Sequence, residues 1–242
     1  MKNLLFIVTI LIFFVTSSNI HAANDNKKLV IEKPDMEKIK SETYNPSSKY
    51  FYPKLMRQYE KNETIMTVED YRFLYLGTMF REDYNPYRKS EFRDKIEDLY
   101  YRETHSRSEL DSIIAYAELT LADDPFDLEQ MNYLIYALRG RGKTNTANIW
   151  QYRLNHILQA ILSTGTGLDK DNAWFVINPR HEYNIINFQN RTVESQDFIS
   201  PYFEYISLMP VNDNDNSKSP TGYYFNIQHL LEEYYRKFPD QL

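Results

Sequence analysis

Apolar residues between positions 67 and 164 recur at the spacing of one helical face, and this pattern predicts about five helices. Thr67 begins the first of them, with Asp70 three residues later as its capping-box partner. Residues 68–80 carry apolar side chains on nearly every side, which is typical of a helix at the centre of a core. We expect the other four helices to begin at Ser90, Ser106, Asp127 and near Asn145.

The pattern changes after Gly165, where short runs of β-type residues replace the helical spacing. Three strands are predicted, at Ala173–Ile177, Tyr202–Met209 and Tyr223–Ile227. The polar segment 212–220 is predicted to be a hairpin loop, and an amphipathic helix follows the last strand. The predicted fold class is therefore α+β, with an N-terminal helical bundle, a small antiparallel three-stranded sheet and a C-terminal helix.

One helical hairpin in this pattern is similar to a single tetratricopeptide unit. It covers Ser108–Leu162, with Asp124-Pro125 ending one helix, Gly142 in the turn and Ala147 as the small packing residue. A solenoid of such units needs about three repeats to bury a core. Because only one unit is found, we expect a plain helical hairpin.

The first 22 residues have the three parts of a cleavable signal peptide. Lys2 supplies the positive charge, the apolar run Leu4–Val15 follows, and we place the cut after Ala22 in preference to Ala23. The run is shorter than the roughly 20 residues that a membrane-spanning helix needs. We therefore expect a periplasmic or secreted protein with no membrane anchor in its mature form.

Two segments are expected after the signal peptide. Residues 23–49 are charged and contain two prolines, and they are predicted to form an extended polar arm with one short helix around Met36–Ile39. Residues 50–242 are predicted to form a single globular α+β domain, because this length is enough to fill one core.

The composition excludes several classes of protein. The 242 residues include no cysteine, so the chain has no disulfide, no thiol nucleophile and no lipid-attachment cysteine. The formal net charge is -6, from 28 basic and 34 acidic residues. This balance argues against a nucleic-acid partner, which requires a basic face, and gives no reason to expect attraction to an anionic membrane surface.

Gly142-Lys143-Thr144 matches the second half of a phosphate-binding loop, G-x-x-x-x-G-K-[ST]. Ala137 replaces the first glycine, and a predicted helix precedes the segment where the motif requires a strand. ATP is also scarce outside the cytoplasm. We therefore interpret the segment as a turn between two helices, and we expect no cofactor.

The predicted hairpin loop imitates the start of a calcium-binding loop. Asp213, Asp215 and Ser217 match its first ligand positions. Lys218 stands at the glycine position, however, and Tyr224 stands where the bidentate acid is required. We therefore predict no metal site there.

Arg180, His181 and Glu182 form the most concentrated polar group near the predicted sheet, and they are the candidate ligand-binding residues. His181 and Glu182 have the chemistry of an acid/base pair. Neighbouring residues on a strand point to opposite faces, however, and this geometry would separate them. No residue is therefore predicted to be catalytic or to bind a metal.

Aromatic residues are abundant, with 21 tyrosines and 14 phenylalanines. In an exported protein, exposed rings can stack on sugars or peptides. Most of these rings fall on the apolar faces assigned above, so we expect them to fill the core rather than to form a glycan-binding platform.

The segment from Thr67 to Tyr87 is the most recognisable part of the chain. It reads T-V-E-D-Y-R-F-L-Y-L-G up to Gly77 and ends in Tyr84-Asn85-Pro86-Tyr87. It resembles the domain-of-unknown-function family 4919, a family of exported Bacteroidota proteins. The resemblance extends over nearly all of the mature chain, through Ser163–Gly167, Trp174-Phe-Val, His181-Glu182-Tyr183 and Tyr224-Phe225-Asn226. It implies a secreted or periplasmic protein with one compact domain, and it implies no activity.

The sequence thus favours a non-catalytic binding or accessory protein of the cell envelope, whose partner is a glycan, a peptide or another envelope protein. This hypothesis rests on the predicted export and on the lack of a catalytic motif. The alternative is an envelope hydrolase acting on glycan or peptide, because a pair of carboxylates can meet only in the fold and leaves no sequence motif.

Overall fold

The computed structural model describes residues 29–62, 65–100, 102–210 and 219–241. These residues form two compact units. The first unit is Ser90–Ala147, and the second is Leu29–Lys89 together with the described residues from Asn148 on. The predicted signal peptide, residues 1–22, lies outside the described residues, and the single domain over residues 50–242 stays a prediction.

Nine α-helices and four strands occur in the described residues. The helices are α1 (Met36–Tyr44), α2 (Tyr52–Glu60), α3 (Val68–Gly77), α4 (Glu97–Tyr100), α5 (Arg107–Asp123), α6 (Leu128–Gly140), α7 (Thr144–Leu162), α8 (Arg180–Phe188) and α9 (Gln228–Lys237). The strands are β1 (Trp174–Phe175), β2 (Val193–Ile199), β3 (Phe203–Leu208) and β4 (Gly222–Asn226). The α+β class is confirmed. Across the described ranges, every helix is too short or too polar to cross a membrane.

Helix α3 lies at the centre of the core of the second unit, as the sequence predicts. Its first turn has the predicted capping box, in which the Asp70 N–H donates to the Thr67 hydroxyl at 3.2 Å and the Thr67 N–H donates to the Asp70 carboxylate at 2.8 Å. All residues from Tyr71 to Gly77 are buried, and α1 and α2 pack against the helix. Burial of each large apolar side chain contributes about 1.5–3 kcal/mol, so α3 anchors this unit.

The buried Arg72 of α3 fixes two other segments of the second unit. Its guanidinium donates to the Ser163 carbonyl at 3.1 Å, to the Ser163 hydroxyl at 3.2 Å and to the Glu32 carbonyl. Burial lowers the pKa of this guanidinium, and the nearby Glu69 and Glu32 oppose that effect. The described start of the chain is thereby held beside the end of α7, where the Glu32 N–H also donates to the Ser163 carbonyl at 2.9 Å.

The segment predicted to be an extended arm contains a longer helix than expected. Helix α1 has nine residues rather than one turn around Met36–Ile39. Asp35 caps it by accepting from the Lys38 N–H at 2.9 Å, and Met36 and Ile39 are buried. Two apolar residues three positions apart are therefore enough to pack this polar segment through one helical face.

The first unit is built on the predicted hairpin of α5 and α6. Ser106 begins α5 with a capping box, and Asp127 caps α6 by accepting from the Gln130 N–H at 3.0 Å. A Cβ atom at Gly140 would lie 2.8 Å from Leu110, so the end of α6 packs closely against the start of α5. The two helices are thus antiparallel and form a hairpin. The predicted hairpin segment Ser108–Leu162 contains a third helix, α7, in addition to these two.

The helix predicted to begin at Ser90 is only partly formed. Its residues form a 3-10 turn over Arg93–Ile96, which leads into the single turn α4. The Arg93 guanidinium is ion-paired with both Asp127 and Glu129, and these ion pairs connect the 3-10 turn to the start of α6. These two carboxylates raise the pKa of Arg93 against the lowering effect of its burial.

The sheet has four strands in the order β1-β4-β3-β2, which corrects the prediction of three. β2, β3 and β4 are antiparallel neighbours, whereas β1 pairs with β4 in parallel. The sheet is therefore mixed rather than antiparallel. The missed strand is β2, an edge strand whose residues from Glu194 to Phe198 are all exposed, so that it lacks the apolar alternation of a half-buried strand.

Candidate binding site

The three candidate residues from the sequence lie in the first turn of α8, not on a strand. The Asn178 side chain accepts from the Arg180 N–H at 3.0 Å, and Pro179 precedes the helix, where a missing N–H is tolerated. His181 and Glu182 are buried, with exposed fractions of 2% and 0%, whereas Arg180 is half-buried. The argument from opposite strand faces is therefore wrong, and the three side chains have different surroundings.

His181 is held within the core by α3. The Tyr75 hydroxyl lies 2.7 Å from His181 Nδ1, and the same hydroxyl accepts from the Ile177 N–H at 3.2 Å. The hydroxyl proton is thus available for the histidine ring. These contacts connect α3 to the segment after β1 and to α8, so His181 helps to position the first turn of α8.

The Arg180 side chain contacts a different part of the protein from His181. Its guanidinium donates to the Arg88 carbonyl at 3.4 Å, in the loop that follows α3. The structure therefore brings the three sequence candidates into one helical turn, in which His181 contacts Tyr75 and Arg180 contacts the loop after α3.

Glu182 is the unusual member of this turn. Its side chain has no exposed surface, and neither carboxyl oxygen has a hydrogen-bond partner among the described residues. Burial raises the pKa of Glu182 well above its ordinary value, and the charge of the neighbouring Glu204 raises it further. The Glu204 carboxyl group is therefore a near neighbour of the Glu182 carboxyl group, although the two groups lack the geometry of a hydrogen bond. Burial thus favours the protonated, neutral form of Glu182.

Glu204 connects this buried group to the surface. It lies on β3, opposite Phe198 of β2, and is half-buried. The Gln196 side-chain amide donates to the Glu204 carboxyl at 2.5 Å, and its carbonyl accepts from the Tyr183 hydroxyl. A hydrogen-bonded chain therefore runs from α8 through β2 to β3 and fixes the Glu204 side chain beside Glu182.

Two exposed tyrosines border these carboxyl groups. Tyr87 and Tyr183 have exposed fractions of 53% and 37%. Burial is the largest cause of the raised pKa of each hydroxyl, and both Glu182 and Glu204 contribute to the rise at each tyrosine. We refer to Glu182, Glu204, Gln196, Tyr183 and Tyr87 as the carboxyl–tyrosine site.

Tyr234 of α9 supports the Tyr87 ring from the side. The two ring centroids are 4.8 Å apart with an interplanar angle of 83°, an edge-to-face arrangement. This contact orients Tyr87 while leaving about half of its surface accessible. The carboxyl–tyrosine site therefore combines an oriented exposed ring, an amide and two carboxyl groups, which is suited to binding a polar ligand.

The segment that imitates a phosphate-binding loop is a turn between helices. α6 precedes it, Gly142 has a φ of +72°, and α7 begins at Thr144. A shallow surface depression of about 270 Å³ lies over residues 142–146, and these residues are all exposed. The interpretation of this segment as a glycine-containing turn is confirmed.

Metal sites have little support. The calcium-like residues Asp213, Asp215 and Ser217 lie outside the described residues. Elsewhere, His229 Nδ1 lies 3.0 Å from the Glu232 carboxylate on α9. Within the part of the chain that the structure describes, no group of three or more histidine or acidic side chains could hold a metal ion.

A second surface depression, of about 390 Å³, includes Trp174 and Tyr223 in its lining. Both rings are more than 90% buried, and their centroids are 4.7 Å apart. A Cβ atom at Gly167 would lie 2.9 Å from the Trp174 ring, so the backbone covers that ring closely. These rings fill the core, as expected, and do not offer a flat face to a sugar.

Sequence reasoning identified Glu182 but missed the other residues of the site. Glu204 falls within a predicted strand, and Tyr183 directly follows the candidate turn. Gln196 lies on the missed strand β2, and Tyr87 ends the segment after α3. A signal for Glu204 was available, since an acidic residue within an otherwise apolar strand is unusual.

Comparison with known proteins gives one match. The model of the family described as Domain of unknown function (DUF4919) matches residues 37–236. This range contains the first unit, most of the second unit and every residue of the carboxyl–tyrosine site. No curated protein and no solved structure gives a significant match to the chain.

Proposed function

The chain belongs to the DUF4919 family, whose function is unknown, and we propose that it is a non-catalytic, exported binding protein of the cell envelope. The carboxyl–tyrosine site is its ligand-binding surface. The observation that supports this role is the fully buried and unpartnered carboxyl group of Glu182 behind a surface with exposed tyrosines.

The stability of the fold does not account for Glu182. A buried polar group without a hydrogen bond costs about 1–3 kcal/mol relative to a satisfied one. An apolar side chain of similar size would avoid this cost. Residues that lower stability are concentrated at functional sites, where the requirement for a ligand outweighs the requirement for packing.

Binding fits this geometry better than catalysis does. A general acid must lie within hydrogen-bond reach of the reacting atom. Glu182 has no exposed surface, whereas Tyr87, Tyr183 and Glu204 remain accessible to a ligand. The accessible groups can recognise a glycan or a peptide by stacking and hydrogen bonding, and Glu182 lies behind them.

The first prediction concerns Tyr87. We expect Tyr87→Ala to weaken binding to the ligands of the wild-type protein by about tenfold, because the largest accessible ring of the site is removed. Ligands are first identified on arrays of soluble glycans and peptides, and affinities are then measured by calorimetry. Tyr44→Ala is the matched control, because Tyr44 has a similar exposed fraction of 51% but contacts the Phe80 carbonyl instead. Equal affinities for the two variants would refute the site.

The second prediction concerns export. We expect the mature protein to begin at Ala23 and to be found in the periplasmic or culture fraction, because the N-terminal segment has the features of a cleaved signal. Fractionation followed by mass spectrometry of the N-terminal peptide measures both properties. Recovery of the chain in the cytoplasm with residues 1–22 still attached would contradict the export proposal.

An envelope hydrolase acting on glycan or peptide remains the second candidate function. It is supported by two neighbouring carboxyl groups in unlike surroundings, one fully buried and one half-buried. This alternative requires a conformation that admits substrate to Glu182. It would replace the binding role if a glycan or peptide were cleaved by the wild-type protein and bound but left intact by Glu182→Gln.

A further inference from the structure

Glu182 and Glu204 form a carboxyl pair without a cation. Within the described residues, no lysine, arginine or histidine is ion-paired with either group, and the groups acting on Glu182 do not include a positive charge. The Gln196 amide is the donor to Glu204, and no described group donates a hydrogen bond to the Glu182 carboxyl group. A carboxyl group such as Glu204, which has no cationic partner and lies beside a buried acid, favours a positively charged ligand because that ligand supplies the missing counter-charge.

A divalent metal ion does not fit this pair. Calcium takes six to eight oxygen ligands, and a structural zinc site takes four ligands. No grouping of three or more metal-binding side chains occurs in the described ranges. An organic ammonium group needs fewer protein partners, because its three N–H donors can be satisfied by one carboxyl group and by water.

The exposed tyrosines add a second attraction for the same charge. The face of a tyrosine ring is electronegative and binds an ammonium group within about 6 Å of its centre. The chain uses this contact elsewhere, with the Lys237 ammonium 4.9 Å from the Tyr84 ring centre and the Lys49 ammonium 4.4 Å from that of Tyr50. Tyr87, oriented by Tyr234, is the more exposed of the two tyrosine rings of the site.

We propose that the carboxyl–tyrosine site binds its ligand through a primary ammonium group, which contacts the Glu204 carboxyl group and the face of Tyr87, with Glu182 behind them. This inference rests on the proposed binding function and specifies its ligand class. A lysine side chain of a peptide and a de-N-acetylated amino sugar both present such a group. An anionic ligand would be repelled by the same carboxyl groups.

Paired probes test the ammonium group and distinguish its two sources. The peptide arm compares a lysine peptide, blocked at both termini, with the same peptide acetylated at Nζ. The glycan arm compares a glucosamine trimer with the N-acetylglucosamine trimer. We expect at least one free amine to bind about tenfold more tightly than its acetylated form, in calorimetry on the mature protein. The arm that shows this difference identifies the source.

Variants then assign the binding to the site. Glu204→Gln is expected to weaken binding of the free amine about tenfold, because an ionic partner becomes neutral. Glu194→Gln is the matched control, since Glu194 is exposed on the neighbouring strand. Tyr87→Phe should retain the affinity and Tyr87→Leu should reduce it, which separates the ring from the hydroxyl. Unchanged thermal unfolding of each variant is the check on folding.

Three results would overturn the inference: no binding of either free amine, equal binding of the acetylated probes, or equal affinities of the Glu204→Gln and Glu194→Gln variants. The proposed function would survive these results if a ligand from the arrays still depended on Tyr87. The proposed function would also be refuted if Tyr87→Ala left the binding of every ligand unchanged.

Discussion

Glu182→Gln is expected to stabilise the protein, with a gain that grows as the pH rises. The pKa of Glu182 is raised in the folded chain above the ordinary value of 4.5. Between these two values the folded chain holds one proton more than the unfolded chain, so the free energy of unfolding falls as pH rises. The slope for one proton is about 1.4 kcal/mol per pH unit. Glutamine does not titrate, so its contribution to the free energy of unfolding does not change with pH.

Urea unfolding at pH 5, 6, 7 and 8 measures this effect. The curves of the wild-type protein and the Glu182→Gln variant should diverge toward high pH. Glu194→Gln, a change at an exposed carboxyl group of the same sheet, should follow the wild-type curve within about 0.5 kcal/mol. Parallel curves for Glu182→Gln and the wild type would mean that Glu182 is ionised in the fold, and the description of the site would be wrong.

Gly165→Ala is expected to cause the largest loss of stability, about 3 kcal/mol, because the added methyl group has no space. A Cβ atom at Gly165 would lie 2.2 Å from the Asn172 carbonyl oxygen, which is part of the backbone. That carbonyl accepts from the N–H groups of Thr166 and Gly167 at 2.9 and 2.8 Å. Moving it would disrupt the turn that leads into β1 and, through β1, the entry into α8.

Gly142→Ala provides the contrasting control. A methyl group on Gly142 would meet no atom within 4 Å, but the φ of +72° at this position disfavours other residues. The expected loss is therefore about 1 kcal/mol, from the backbone conformation alone. Urea unfolding of both variants compares the two costs. A loss at Gly165 no greater than that at Gly142 would show that the 165–173 turn adapts to the methyl group.

The helices that were predicted well are those whose ends are determined locally. The capping boxes at Thr67 and Ser106 place the starts of α3 and α5 correctly, because the cap hydrogen bonds are made within four residues. α6 likewise begins after the predicted cap Asp127 and ends at Gly140. These features are readable from one sequence because no distant contact is needed to form them.

The elements that the sequence did not predict are those whose formation depends on contacts with other parts of the fold. β2 is a sheet edge with a polar sequence on both faces, so that only its pairing with β3 makes it a strand. α8 follows Pro179 and has nine residues, which is too short for a clear helical period. The parallel pairing of β1 with β4 joins segments about 50 residues apart, and no local pattern records such a contact.

The candidate site was predicted in part, and for the wrong reason. Glu182 was selected for its neighbours Arg180 and His181 in the sequence, yet its partner in the fold is Glu204 on β3. Burial of a carboxyl group cannot be read from the residue itself, since glutamate is ordinarily exposed. The family assignment was predicted from the segment 67–87 and is confirmed, whereas the Bacteroidota origin and the export stay predictions.

Carbon-13 NMR of the side-chain carboxyl groups, in protein labelled at glutamate, tests the central claim most directly. The Glu182 signal is assigned by its loss in Glu182→Gln. We predict that this signal keeps the chemical shift of a protonated carboxyl group at pH values well above the ordinary glutamate value of 4.5. If the Glu182 signal titrates at that ordinary value, Glu182 is not a buried neutral acid, and the proposed site loses its main support.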